Sequence, residues 1–191
     1  MVMKKIVTIL LCMILMASIF FVGCKKEEKE IENDSTVKPV IEENQKEEEK
    51  TMDYVLYVKH KEMPFLFDEA YSIEKEDKKL KGKSIEEFLM NELIDFEPFG
   101  EFKNPIPEGT KILSIQKANG VVTIDLSKEF IEGLKEDATE TSLTVASIVD
   151  TMVAAGNEKV QLMVEGQILD EINDVDMSKP FEFMDGFFAD K

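Results

Sequence analysis

The sequence predicts an α+β fold, a two-layer sandwich in which a mixed sheet is covered on one face by two helices, in the order strand, helix, hairpin, helix, strand. Three observations carry this expectation. Tyr54, Leu56 and Val58 alternate with more polar positions, the period of a strand with one buried face. Asn119-Gly120 separates two alternating segments, and Asn-Gly suits a type I′ hairpin turn because both central residues need positive φ. Two apolar stripes recur at helical spacing, one through Ile85, Phe88, Leu89, Leu93 and Phe96, the other through Val145, Ile148, Val149 and Met152. Strands that bury one face need a covering layer, and two amphipathic helices supply it.

In chain order, the first strand is followed by a second extended segment through Phe65 to Ile73. Ser84 and Glu87 have capping-box spacing, which starts the first helix at about residue 85 and runs it to about 95. Pro105, Pro107 and Gly109 mark a loop before the hairpin of Lys111–Lys117 and Val121–Leu126. Leu113 and Ile115 are expected to face the same core as Val122, Ile124 and Leu126. The second helix starts near Thr139 and ends before Gly156, a C-terminal glycine cap. Ala146 and Val153 flank its buried stripe, while Thr144, Ser147, Asp150 and Thr151 lie opposite. A last strand from Lys159 to Glu165 buries Val160, Leu162 and Val164 and exposes Gln161 and Glu165.

The segment before the domain has a different character. Lys4 and Lys5 precede an apolar run from Ile6 to Val22 that stops at Gly23-Cys24, the layout of a bacterial secretory signal. Phe21-Val22-Gly23-Cys24 resembles the lipobox of bacterial lipoproteins, which implies cleavage after residue 23 and acylation of the Cys24 sulfur. Two acyl chains at about 0.8 kcal/mol per buried methylene make such an anchor effectively permanent. The alternative is an uncleaved anchor helix, for which 17 apolar residues just reach across a bilayer, with Cys24 an incidental thiol. Either way the domain sits outside the cytoplasm, on the outer face of the cell membrane.

Three regions follow: a signal peptide over residues 1–23, a Lys/Glu-rich tether over 24–52 and a folded domain over 53–191. The tether is without aromatic residues and cannot bury enough apolar surface to offset the entropy of ordering. It serves either as a spacer or as a solvated low-complexity stretch with no length requirement. Without residues 1–23 the chain has 21 lysines against 40 acidic residues, a formal charge of −19. That surface repels nucleic acids and anionic headgroups, so no nucleic-acid partner is expected. Every basic residue is lysine, so the rigid guanidinium fork for bidentate phosphate capture is missing. Both cysteines, Cys12 and Cys24, lie in the signal region, so the exported domain has neither disulfide nor thiolate.

Ile106-Pro107-Glu108-Gly109-Thr110, Leu113-Ser114-Ile115, Gly120, and Val122-Thr123-Ile124-Asp125-Leu126-Ser127 with Phe130 together resemble the core of the GerMN domain. Ile148-Val149-Asp150-Thr151-Met152 and Val160-Gln161-Leu162-Met163-Val164-Glu165-Gly166 continue the resemblance, which spans roughly residues 53 to 180. It implies a sporulation or spore-germination type domain of Gram-positive bacteria, often carried on lipoproteins. It also implies kinship in fold with ring-building modules of secretion-type complexes, and no established catalytic residues. The best-known member carries two copies of the domain and supports assembly of a complex between mother cell and forespore. A single copy is present here.

The residues themselves offer little chemistry. His60 is the only histidine, and between Lys59 and Lys61 it is expected to be a solvated surface residue rather than a general base. Asp125 and Ser127 could serve a substrate or ligand amine, but they are expected to cap the short turn or helix from Lys128 to Leu134. Asp174, Asp176, Ser178 and Asp185 echo calcium-loop spacing, yet Lys179 and Pro180 stand at its sharp turn, so no calcium is expected. No catalytic residue, metal or cofactor is assigned. Phe181, Phe183, Met184, Phe187 and Phe188 form an aromatic tail, either an interface or a segment folded back over the domain.

The expected role is therefore a non-enzymatic, membrane-tethered interaction domain of the Gram-positive envelope in sporulation or germination. Its partners would be the membrane through the lipid anchor, envelope proteins, or a second copy of the chain. The alternative is an extracytoplasmic lipoprotein that binds a peptide or cell-wall fragment.

Overall fold

The computed structural model describes residues 50–188, so the signal region, Cys24 and the tether as far as residue 49 lie outside the described residues. The first strand, β1 (Thr51–His60), starts two residues before the expected domain boundary and pairs antiparallel with β2 (Leu66–Glu74). Helix α1 (Ile85–Ile94) opens as its sequence predicts: the Ser84 hydroxyl accepts the Glu87 N–H at 3.1 Å. A two-residue strand, β3 (Phe102–Lys103), then adds to β1 at Lys59 and His60.

Strands β4 (Ile112–Ala118) and β5 (Val121–Leu126) form the expected hairpin, with positive φ at Asn119 (52°) and Gly120 (79°). A one-turn helix, α2 (Glu129–Glu132), leads to α3 (Ala138–Ala154), whose N-terminus is capped by the Asp137 carboxylate accepting the Glu140 N–H at 2.9 Å. Strand β6 (Lys159–Val164) runs parallel to β5, so α2 and α3 form the crossover that a parallel pair requires. A small hairpin, β7 (Glu171–Ile172) and β8 (Val175–Asp176), turns through Asn173 and Asp174, both at positive φ. A 3-10 turn at Asp185–Phe187 ends the described chain.

The α+β class holds, and the expected mixed sheet is present in the antiparallel β4-β5 and parallel β5-β6 pairs. The strands nevertheless divide into two three-stranded sheets, β2-β1-β3 and β4-β5-β6, rather than joining in one. Helix α3 lies against both β1 and β6, and α1 against both β1 and β4, so the two helices knit the sheets together. A single core results, in which Leu56, Val58, Phe88 and Leu93 cluster with Val122, Ile124, Val149, Met152 and Leu162.

Three burial expectations are corrected. Leu113 is 48% exposed, because a register shift between Ile112 and Ser114 inserts it as an unpaired residue and turns it outward, while Ile112 and Ile115 pack on the core. Gln161 is buried, its amide donating to the Leu162 and Met177 carbonyls, because the segment around Met177 covers that face of β6. Finally, Thr144, Ser147, Asp150 and Thr151 are all buried, so α3 has no solvated polar face over these turns.

Candidate functional site

The polar residues of α3 are buried because they complete β1. Thr144, Ser147 and Thr151 recur at three- and four-residue spacing and share one helix face. The Tyr57 N–H donates to the Thr151 hydroxyl at 3.0 Å, and the Ser147 hydroxyl donates to the Tyr57 carbonyl. Both backbone groups of Tyr57 thus point away from β2, and the helix satisfies them as a neighbouring strand would. Two residues along, the buried Lys59 ammonium donates to the Glu140 carboxylate and carbonyl and to the Thr144 hydroxyl. Burial pushes the Lys59 amine down to about 8 against the pull of Glu140. Burial acts to raise Glu140, but Lys103 and Lys59 hold it below the usual carboxylate range.

The aromatic tail packs on the adjacent face of the same helix, that of Leu143, Ala146 and Asp150. Phe181 exchanges both backbone hydrogen bonds with Val160 of β6, and Phe188 forms a bridge with Leu66 of β2, so the tail touches an edge strand of each sheet. Phe183 and Phe188 stack, and each meets the Tyr57 ring edge-on. Met184, Phe187 and Phe188 cover a satellite cluster of Leu66, Leu143 and Ala146, while Phe183 remains 41% exposed. Beneath this strap, one Asp150 oxygen accepts the Met184 N–H at 2.7 Å and the other has no hydrogen-bond partner among the described residues. Burial pushes the Asp150 carboxyl up to about 6; the Met184 N–H opposes this rise and Asp185 adds to it.

The residues nominated from sequence for chemistry are engaged elsewhere and are not brought together. His60 is buried, not solvated: its Nδ1 accepts the Glu62 and Met63 N–H groups at 3.0 Å and closes the β1-β2 turn. Its Nε2 lies 3.6 Å from Glu101. Asp125 and Ser127 do not cap α2, which has no side-chain cap. Asp125 accepts the Gly166 N–H at 2.9 Å, and the Ser127 hydroxyl accepts the Lys111 N–H at 3.0 Å; both therefore fasten loops to β5. Asp176 is occupied by the Ser178 N–H and hydroxyl, while Asp185 lies in the separate 3-10 turn. Among the described residues, no group of three or more His, Cys, Asp or Glu side chains is arranged to hold a metal, and no helix is long and apolar enough to cross a membrane.

Sequence reading missed Lys59 and Asp150 as buried charges. For Asp150 a signal was present, an acid set among Ile148, Val149 and Met152.

A groove of about 680 Å³ opens where α3 ends beside β1. Its walls include Asp53, Val55, Tyr71, Leu89 and Ala154. Tyr54 also lines it, its ring stacked on Tyr71 and its hydroxyl donating to Glu92 at 3.2 Å.

Comparison with known proteins places this geometry in context. A family model described as Germane, sporulation and spore germination, matches residues 54–170. A search of curated proteins gave no match. Among solved structures, the tandem GerMN domains of the sporulation protein GerM from Bacillus subtilis superpose with a TM-score of 0.53 at 21% identity, over 70% of this chain and 45% of that one. The first GerMN domain of the same protein gives 0.51 at 20% identity, over 69% and 95%. A candidate lipoprotein from Clostridium perfringens gives 0.47 at 25% identity, over 69% and 87%.

Proposed function

Since the chain belongs to the Germane family of sporulation and spore-germination domains, we propose that it is a non-enzymatic interaction domain, tethered through Cys24 to the outer face of the cell membrane, that contacts envelope proteins during sporulation or germination. The family match across residues 54–170 carries this reading. The engagement of His60 Nδ1, one Asp125 oxygen and the Ser127 hydroxyl in structural hydrogen bonds, at separate places in the fold, supports it. The tether calls for lipid on Cys24, and the signal-like run before that residue supports it.

The test is genetic and chemical together. Deleting the gene in a sporulating host should lower heat-resistant spore counts or germination, and the intact chain should restore them. Cys24→Ala should fail to do so and should lose metabolic labelling by a tagged fatty acid. Full rescue by a cytosolic form lacking residues 1–23 would sink the proposal. The second reading, an extracytoplasmic binder of a peptide or cell-wall fragment, is favoured by one observation, the groove beside β1.

A further inference from the structure

Backbone groups in an antiparallel strand alternate, residue by residue, between its two neighbours. Tyr57 gives both its N–H and its C=O to α3, on the side of β1 away from β2. Val55 and Asp53, two and four residues earlier in the same regular ladder, therefore turn their N–H and C=O groups to that side as well. Strand β3 reaches only Lys59 and His60, and α3 ends at Ala154. Among the described residues, no strand lies beside Asp53 or Val55, and the groove opens there. An open strand edge is a template for another chain, and natural proteins normally block it with charge, proline or a covering element.

We propose that this edge binds an extended, lysine- or arginine-bearing peptide segment of another protein, which adds to β1 alongside Asp53 and Val55. The backbone of β1 offers two donors and two acceptors at the spacing that strand addition uses. Ala154 and Ala155 leave room in the wall for an apolar side chain, and Leu89 gives it an apolar contact. Charge selects the occupant. Asp53 is exposed and, among the described residues, is the only charged one lining the groove, and the whole chain carries a formal −17. A second copy would bring two such acidic surfaces and two Asp53 carboxylates together, whereas a cationic strand is drawn in. The inference deepens the interaction reading and rests on it for the idea that the partner is a protein.

Direct binding tests it, using the full chain in a nonionic detergent. The probe is a fluorescent, end-capped octapeptide of alternating lysine and valine. Controls are the same peptide with glutamate for lysine and one with alternate backbone amides methylated, which keeps the charge but removes donors. The lysine probe should bind saturably, and the glutamate and methylated probes at least about tenfold more weakly. Val55→Pro removes an N–H that β2 does not use, so it should weaken the lysine probe about tenfold with little change in melting temperature. Ala154→Trp should do the same by filling the groove, and provides an independent test if the proline perturbs folding.

Absence of saturable binding overturns the proposal, as do equal binding of the methylated or glutamate probe and full binding by both variants. Self-association that Val55→Pro abolishes, without probe binding, would assign the edge to a second copy and also overturn it. A negative binding result leaves the envelope role standing, since that role is judged by spore counts and lipid labelling.

Discussion

In the β4-β5-β6 sheet the central strand β5 is paired over its full length on both sides, whereas β1, central in the other sheet, is paired throughout only by β2 and meets β3 at two residues. Backbone ladders close both sides of β5. Side chains of α3 close part of the open side of β1, through Ser147 and Thr151, and among the described residues no strand lies beside Asp53 and Val55. The difference separates two demands on sequence. A strand between two ladders asks its neighbours only for extended backbone and apolar side chains. A strand edge closed by a helix asks for hydroxyls at particular positions, because an unpaired buried N–H or C=O is costly.

Truncation should show the contrast most strongly. Ile124 lies fully buried in β5, and Ile124→Ala should cost about 2–5 kcal/mol of unfolding free energy. Val55→Ala, at a half-buried position on the open stretch of β1, should cost under about 1 kcal/mol. Urea titrations with a common slope measure both. Equal losses would mean that the β1 edge is as firmly closed as β5.

Next in size is the helix-closed edge. Thr151→Val preserves shape but leaves the Tyr57 N–H without its acceptor, and Ser147→Ala leaves the Tyr57 carbonyl without its donor. Each should cost about 1–3 kcal/mol. A loss below about 0.5 kcal/mol at both positions would show that water replaces the hydroxyls and that α3 does not close the strand.

Asp150, on the same helix under the aromatic strap, gives a smaller and pH-dependent effect. Its folded pKa is raised from the ordinary 3.8 to about 6, so between those values the folded state holds a proton that the unfolded state has released. The Asp150 contribution therefore grows as pH falls through 6 and is complete below 4. Because many other carboxylates titrate in the same range, the difference between the native chain and Asp150→Asn isolates it. At pH 8 the Asn variant should be more stable by about 1–2 kcal/mol, with about half of that advantage gone by pH 5 and nearly all of it below pH 4. A constant difference across this range would show that Asp150 is not held ionised at a cost beneath Met184.

Much of this was readable from the residues, for reasons that differ by element. The β4-β5 hairpin is fixed locally by Asn119-Gly120, and α1 and α3 by their caps and apolar stripes, so their placement needs no tertiary information. The family resemblance read over roughly residues 53 to 180 covers the matched span of 54–170 and overshoots its C-terminal end. Asn173-Asp174 is a local turn signal of the same kind, with both residues at positive φ in the β7-β8 hairpin. His60, Lys59 and the polar face of α3 could not be placed, because hydropathy assigns polar residues to solvent unless a distant backbone group claims them. Tyr57 and Ser147 are 90 residues apart, and no local pattern announces their bond. The groove arises in the same way, from where α3 happens to end relative to β1.

The smallest expected effect returns to the closed sheet and tests its one irregularity. Alternation along Lys111–Lys117 put Leu113 in the core with Ile115, and by that rule Leu113→Thr would open a cavity costing about 2 kcal/mol or more. The bulge instead gives Leu126 to Ile112 and Asp125 to Ser114, leaving Leu113 without a partner on β5 and directed to solvent. Leu113→Thr should then change stability by no more than about 0.5 kcal/mol, while Ile115→Thr, two residues on and packed on the core, should cost several times more. A large loss at Leu113 would restore simple alternation and shift the β4 register by one residue. The β4-β5-β6 sheet would then contain no irregularity, and the contrast with β1 would be sharper than drawn above.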